Sequence, residues 1–84
     1  MKWTVVYLPA CEQELAQLWL DPTSRADLTD AANRLDRLLK RDPLAGESRD
    51  QKDERVLFIS PLGALYRVKA DDCLVEVIHV WKFA

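Results

Sequence analysis

Residues 54–83 read ERVLFISPLGALYRVKADDCLVEVIHVWKF, and the runs and turns within them decide the fold. Val56, Leu57, Phe58 and Ile59 make one apolar run, which Ser60-Pro61-Leu62-Gly63 breaks. Residues 64–69 make a second, and Ala70-Asp71-Asp72 turns the chain again. Residues 73–83 make the longest, nearly continuous in the β-branched and aromatic residues that strands favour. A run so apolar is more often a central strand, covered on both faces, than an edge. The last strand is therefore expected to be the spine of the fold, paired on both sides.

Upstream, residues 43–53, PLAGESRDQKD, are polar and carry a glycine, which reads as a surface loop leading into the sheet. Before that loop, Leu28, Ala31, Ala32, Leu35, Leu38 and Leu39 recur at helical spacing and form one stripe. Asp21-Pro22 is the natural start for this helix, with Asp as the cap and Pro at the first helical position. A shorter stripe, Cys11, Leu15, Leu18 and Trp19, makes a preceding helix, and residues 2–8 alternate as a first strand that Pro9 ends. The order strand, helix, helix, strand, strand, strand gives an α+β fold. Its sheet is small, curved and mostly antiparallel, with a helical hairpin packed on one face.

Eighty-four residues make a single domain, 1–84. The composition, 49% hydrophobic and 31% charged, is that of a soluble globular chain. No apolar run approaches the length of a membrane span, and the N-terminus lacks a secretory pattern, so a cytoplasmic protein is expected. Cys11 and Cys73 follow no metal-ligand spacing and read as buried free thiols. Neither a metal nor a cofactor is expected. The formal net charge of -2 opposes bulk attraction to nucleic acid but leaves room for a local basic patch.

Two layers leave one sheet face open. With Val56, Phe58, Tyr66, Val68, Ile78 and Val80 toward the helices, the open face would carry Arg55, Leu57, Ile59, Leu65, Arg67, Lys69, Val75, Val77, His79, Trp81 and Phe83. An apolar patch rimmed by basic groups marks a binding surface or a homodimer contact. His79 is the one group whose ordinary titration lies near neutrality, although a lone histidine on an apolar strand is more often structural.

The succession LW, AANRLDRLL, DPLAGESR, RVLF, PLGALYRV and DDCLVEVIHVWK, over essentially the whole chain, resembles the RelE/ParE superfamily of bacterial toxins. These are the toxin halves of type II toxin–antitoxin, or plasmid stabilisation, modules. The resemblance implies a small curved sheet under a helical hairpin and a cognate antitoxin as partner. It also implies one of two targets. The RelE branch cuts messenger RNA in the ribosome, using basic and aromatic groups on the open face, and the ParE branch poisons DNA gyrase. A third outcome is a member that keeps only protein binding. Carried over to this chain, the catalytic candidates are Arg55, Arg67, His79 and Lys82. Leu57, Gly63 and Phe83 stand where the RNase branch has basic or polar groups. Leu57, Leu65, Val77 and Trp81 are the expected antitoxin contacts.

Overall fold

The computed structural model describes residues 3–48 and 53–83. The chain runs β1 (Thr4–Tyr7), α1 (Pro9–Leu18), α2 (Arg25–Arg41), β2 (Glu47–Ser48), β3 (Glu54–Ile59), β4 (Leu62–Lys69), a 3₁₀ turn (Ala70–Asp72) and β5 (Leu74–Lys82). The strands form one sheet in the order β1-β5-β4-β3-β2. Its last strand is the spine expected from its composition: β5 pairs with β4 on one side and with β1 on the other. The β1–β5 pair is parallel and the other pairs are antiparallel, so the sheet is mixed.

Both helices pack on one face through the stripes their spacing defines. Cys11 of α1 and Leu35 and Leu39 of α2 close on Ala64, Tyr66, Val75, Val77 and Val80. Leu28 and Ala31 close on Leu62 in a smaller cluster. Pro9 occupies the first turn of α1, where a missing N–H costs nothing. Trp19 falls just beyond α1 and is exposed, so that stripe ends at Leu18.

The second helix starts later than Asp21-Pro22 predicts. Asp21 accepts hydrogen bonds from the Thr23 amide (3.0 Å) and hydroxyl (2.7 Å) and from the Ser24 hydroxyl (3.3 Å). Its carboxylate therefore closes a turn instead of capping a helix, and α2 begins at Arg25. These bonds, the Thr23 hydroxyl foremost, hold the Asp21 carboxyl below its usual range. The expected loop of residues 43–53 also contains a two-residue strand, β2, too short to leave a periodic signal.

Face assignment departs from expectation on two strands, for two geometric reasons. Ser60-Pro61 makes a two-residue turn, so Ile59 pairs with Leu62, Leu57 with Ala64 and Arg55 with Tyr66. Paired residues share a face, so Leu57 and Ile59 join Tyr66 under the helices while Val56 and Phe58 take the opposite face, Val56 buried there and Phe58 exposed. On β5 the register slips: Leu65 pairs with His79 and Tyr66 with Val77, leaving Ile78 as an extra residue. This bulge flips the alternation. Val75 and Val77, expected outside, are fully buried.

A candidate protein-binding face

Phe58, Gly63 and Trp81 lie side by side across the open face. Gly63 has no side chain because the Trp81 indole takes its place: a Cβ there would lie 2.5–2.7 Å from indole atoms. Phe58 packs edge-on against Trp81 (6.0 Å between centroids, 80°) and against Phe83 (5.1 Å, 77°). Phe58 is 54% exposed and Phe83 47%. Three aromatic rings therefore form a preorganised, water-facing apolar cluster at one end of the sheet.

The other end of the same face is charged. Arg67 sits between its cross-strand neighbours Glu54 and Glu76, 3.1 and 3.7 Å away, and Lys69 reaches Glu76 at 3.3 Å. Two cations and two carboxylates cancel there. Between the two ends runs the row Val56, Leu65 and His79.

The candidate catalytic groups stand in four different settings. Arg55 lies on the helix face, where its guanidinium donates to the Gly46 carbonyl (2.9 Å) and, more loosely, to that of Leu44 (3.4 Å). Arg67 is held in the carboxylate ladder. His79 Nδ1 lies 3.2 Å from both carboxylate oxygens of Glu14. That carboxylate also accepts the Val80 amide at 3.1 Å, covering the edge of β5 beyond the end of β1. Lys82 donates to the Ser24 hydroxyl at 2.8 Å, under the helices. The four do not converge on one point.

Of the expected antitoxin contacts, Leu65 and Trp81 are on the open face. Leu57 and Val77 are not: the turn parity and the bulge send both into the core. Phe58, which alternation assigned to the helix side, is the prominent apolar group that sequence reasoning missed. The signal was the length of the Ser60-Pro61 turn, which fixes pairing parity.

Behind the face, Tyr66 is fully buried and anchors the turn before β2. Its hydroxyl donates to the Pro43 carbonyl (2.7 Å) and accepts the Gly46 amide (3.0 Å). A Cβ on Gly46 would meet that hydroxyl at 2.5 Å, which explains the glycine. Burial raises the Tyr66 pKa, partly offset by the Gly46 amide and Arg55. Burial likewise pushes the Cys11 thiol up to about 11. Tyr7 is raised further, by burial and then by its bond to Asp36 (3.0 Å). Among the described residues no cluster of His, Cys, Asp or Glu is fit to hold a metal, and no helix is long and apolar enough to cross a membrane.

No protein-family model matches the sequence, and no curated protein matches it. Solved structures do match. The isolated RelE toxin of E. coli superposes with a TM-score of 0.69 at 21% identity, over 98% of this chain and 85% of that one. A chain of the RelBE2 toxin–antitoxin complex of Mycobacterium tuberculosis gives 0.73 at 21%, over 98% and 99%. A chain of the chromosomal ParDE system of P. aeruginosa gives 0.73 at 13%, over 99% and 98%. This is the fold of the RelE and ParE toxins. At these identities the likeness is one of fold, and it extends over nearly the full length of the RelBE2 and ParDE chains. Within this RelE/ParE fold, the open face combines exposed aromatic rings with cations already matched by the chain's own carboxylates.

Proposed function

We propose that this chain is the toxin of a type II toxin–antitoxin pair, acting in the cytoplasm, held by a cognate antitoxin and arresting growth by binding a protein target. DNA gyrase is the first candidate target; ribosome-dependent cleavage of messenger RNA is the competing activity. The toxin assignment is supported by the likeness of nearly this whole chain to RelE and to the RelBE2 and ParDE chains. The choice of a protein target is carried by one observation: Arg67 and Lys69, the arginine and lysine of the open face among the described residues, are neutralised by Glu54 and Glu76. A phosphate there would have to displace a carboxylate from each cation and then sit beside it.

RNA cleavage by the 2′-hydroxyl needs a base, stabilisation of the charge developing on phosphorus, and an acid for the leaving oxygen. Arg55 is committed to backbone carbonyls and Lys82 to Ser24 on the helix side. His79 alone of the four is both exposed and on the open face beside the aromatic cluster. Each missing charge-stabilising donor costs about 100- to 1,000-fold in rate. The aromatic trio suits protein recognition, where Trp and Phe serve as central anchors.

Two assays with purified, antitoxin-free protein test this. Toeprinting on programmed ribosomes is expected to show no A-site cleavage, and gyrase supercoiling is expected to be inhibited. A Trp81→Ala variant should lose that inhibition, while His79→Ala should keep it. A-site cleavage by the wild type, abolished in His79→Ala, would replace this reading with an RNase. A chain that neither cleaves nor arrests growth is a binding module alone.

A further inference from the structure

The central strand outruns one of its neighbours. β1 pairs with β5 over residues 74–77, and the Leu8 amide still bonds the Val77 carbonyl at 3.0 Å. Among the described residues, 78–82 then have β4 on one side and no strand on the other. The backbone groups of Val80 and Lys82 point to that open side. The Val80 amide meets Glu14 there, whereas the Phe83 amide points the other way, to the Pro61 carbonyl at 2.9 Å. Glu14 Oε1 thus stands where a neighbouring strand would offer a carbonyl. Beside it lies a groove of about 520 Å³ between α1 and β5, lined by Gln13, Glu14 and Gln17 from the helix and by Val80 and Lys82 from the strand. A strand edge whose bonding groups are guarded by one carboxylate is a template for another strand.

We infer that this edge pairs with itself: a second copy of the chain adds its own residues 79–83, antiparallel, about a two-fold axis at Trp81. In that register Val80 stands opposite the second copy's Lys82, and the two exchange both amide–carbonyl bonds across the open edge. Val80 and Lys82 are two residues apart, so their side chains share the helix face, and cross-strand pairs hold their Cβ atoms about 5 Å apart. Each Lys82 therefore enters the groove of the other copy, where Glu14 sits. A carbonyl takes over the Val80 amide, and Glu14, still beside His79, receives the incoming ammonium group. Lys82 exchanges a neutral partner, the Ser24 hydroxyl, for a charged one. The exchange is reciprocal, so one contact yields two carboxylate–lysine pairs, and a copy of this chain brings both members at matching positions. On the open face the pairing joins the aromatic clusters of the two copies. Phe58, Gly63 and Trp81 continue into the same three residues in reverse, about 24 Å from one Phe58 to the other at the usual strand spacing. The inference rests on the edge alone and not on the choice of target.

Sedimentation equilibrium of the purified full chain over a concentration series provides the test. The mass is expected to pass from 9.7 kDa to twice that value. Glu14→Lys sets lysine against lysine in both pairs, and Lys82→Glu sets carboxylate against carboxylate. Each variant alone should therefore dimerise at least about tenfold more weakly than the wild type. Mixed together, the two variants restore both pairs and should form a mixed dimer as readily as the wild type. Amide hydrogen exchange gives a readout on unaltered protein: the Lys82 amide should slow as concentration rises, while the Tyr7 amide, on the outer side of β1, should not. Should either charge reversal disturb folding, by circular dichroism, the exchange comparison decides, and an unchanged Lys82 rate would overturn the inference. So would a wild type that stays monomeric throughout, which would leave the edge to a strand of another protein. A dimer that tolerates both single reversals, or a mixture that stays monomeric, would overturn it as well.

Discussion

Removing one oxygen from Tyr66 should cost this domain a large part of its stability. In Tyr66→Phe the ring still fills its fully buried site, so the core contacts with Cys11, Leu35 and Leu39 persist. The Gly46 amide and the Pro43 carbonyl each lose their partner, and both residues are buried. Leaving one such group unsatisfied costs about 1–3 kcal/mol, and the turn can relax to let water reach one of them. The expected loss is therefore about 2–3 kcal/mol, against a total of about 4–13 kcal/mol for a chain of this length. With a urea m-value of about 1–2 kcal/mol/M, the midpoint falls by about 1–3 M. Arg55 holds the same turn through the Gly46 carbonyl, so Arg55→Met should cost less in the Tyr66→Phe background than in the wild type. A Tyr66→Phe midpoint shift worth less than about half a kcal/mol would refute the anchoring role. Strict additivity with Arg55→Met would show that the arginine serves something other than this turn.

Leu35→Ala, at a 2% exposed position in the main core, should cost about 2–5 kcal/mol in the same denaturation assay, and an unchanged midpoint would remove α2 from the core. Gly63→Val should drive the Trp81 indole off the sheet, giving red-shifted emission in a Trp3→Phe, Trp19→Phe background; an unshifted spectrum would mean the indole is not seated there. Stability should fall at alkaline pH. The Cys11 thiol is raised from 9.0 to about 11 in the fold, so the folded state holds its proton more tightly than the unfolded one. Its contribution is complete below pH 9 and lost as pH rises toward 11, up to roughly 3 kcal/mol, with Tyr7 and Tyr66 adding to the loss above pH 10. Denaturation at a series of pH values should show the first part of that loss disappear in Cys11→Ala.

What the residues made legible was composition and order. The run of β5, nearly continuous in β-branched and aromatic residues, marked the spine, and the leucine stripe of α2 marked the face beneath the helices. What they hid was phase. Val56, Leu57, Phe58 and Ile59 are all apolar, so alternation in β3 carries no sign, and only the two-residue Ser60-Pro61 turn decides which pair goes inside. In β5 the extra residue at Ile78 reverses the sign halfway along a strand that is apolar on both faces. Expected site residues scattered for the same reason: Leu57 and Val77 went into the core while Phe58 came out. The fates of Arg55 and Arg67 depended on partners distant in sequence, a backbone carbonyl at Gly46 and carboxylates on two other strands, which spacing does not show.

Because β5 lies between β1 and β4, the order of synthesis bears on when this protein becomes anything at all. Thr4 pairs with Leu74, seventy positions later, and Val75, Val77 and Val80 supply much of the surface on which Cys11, Leu35 and Leu39 close. A nascent chain emerging from the ribosome carries both helices long before it carries the strand they need. During that interval β1 has no neighbour, β4 lacks half its pairing, and the leucines of α2 face water or a chaperone. The aromatic cluster, which needs Trp81, is not yet assembled. The aromatic cluster is therefore completed only once β5 has taken its place between β1 and β4.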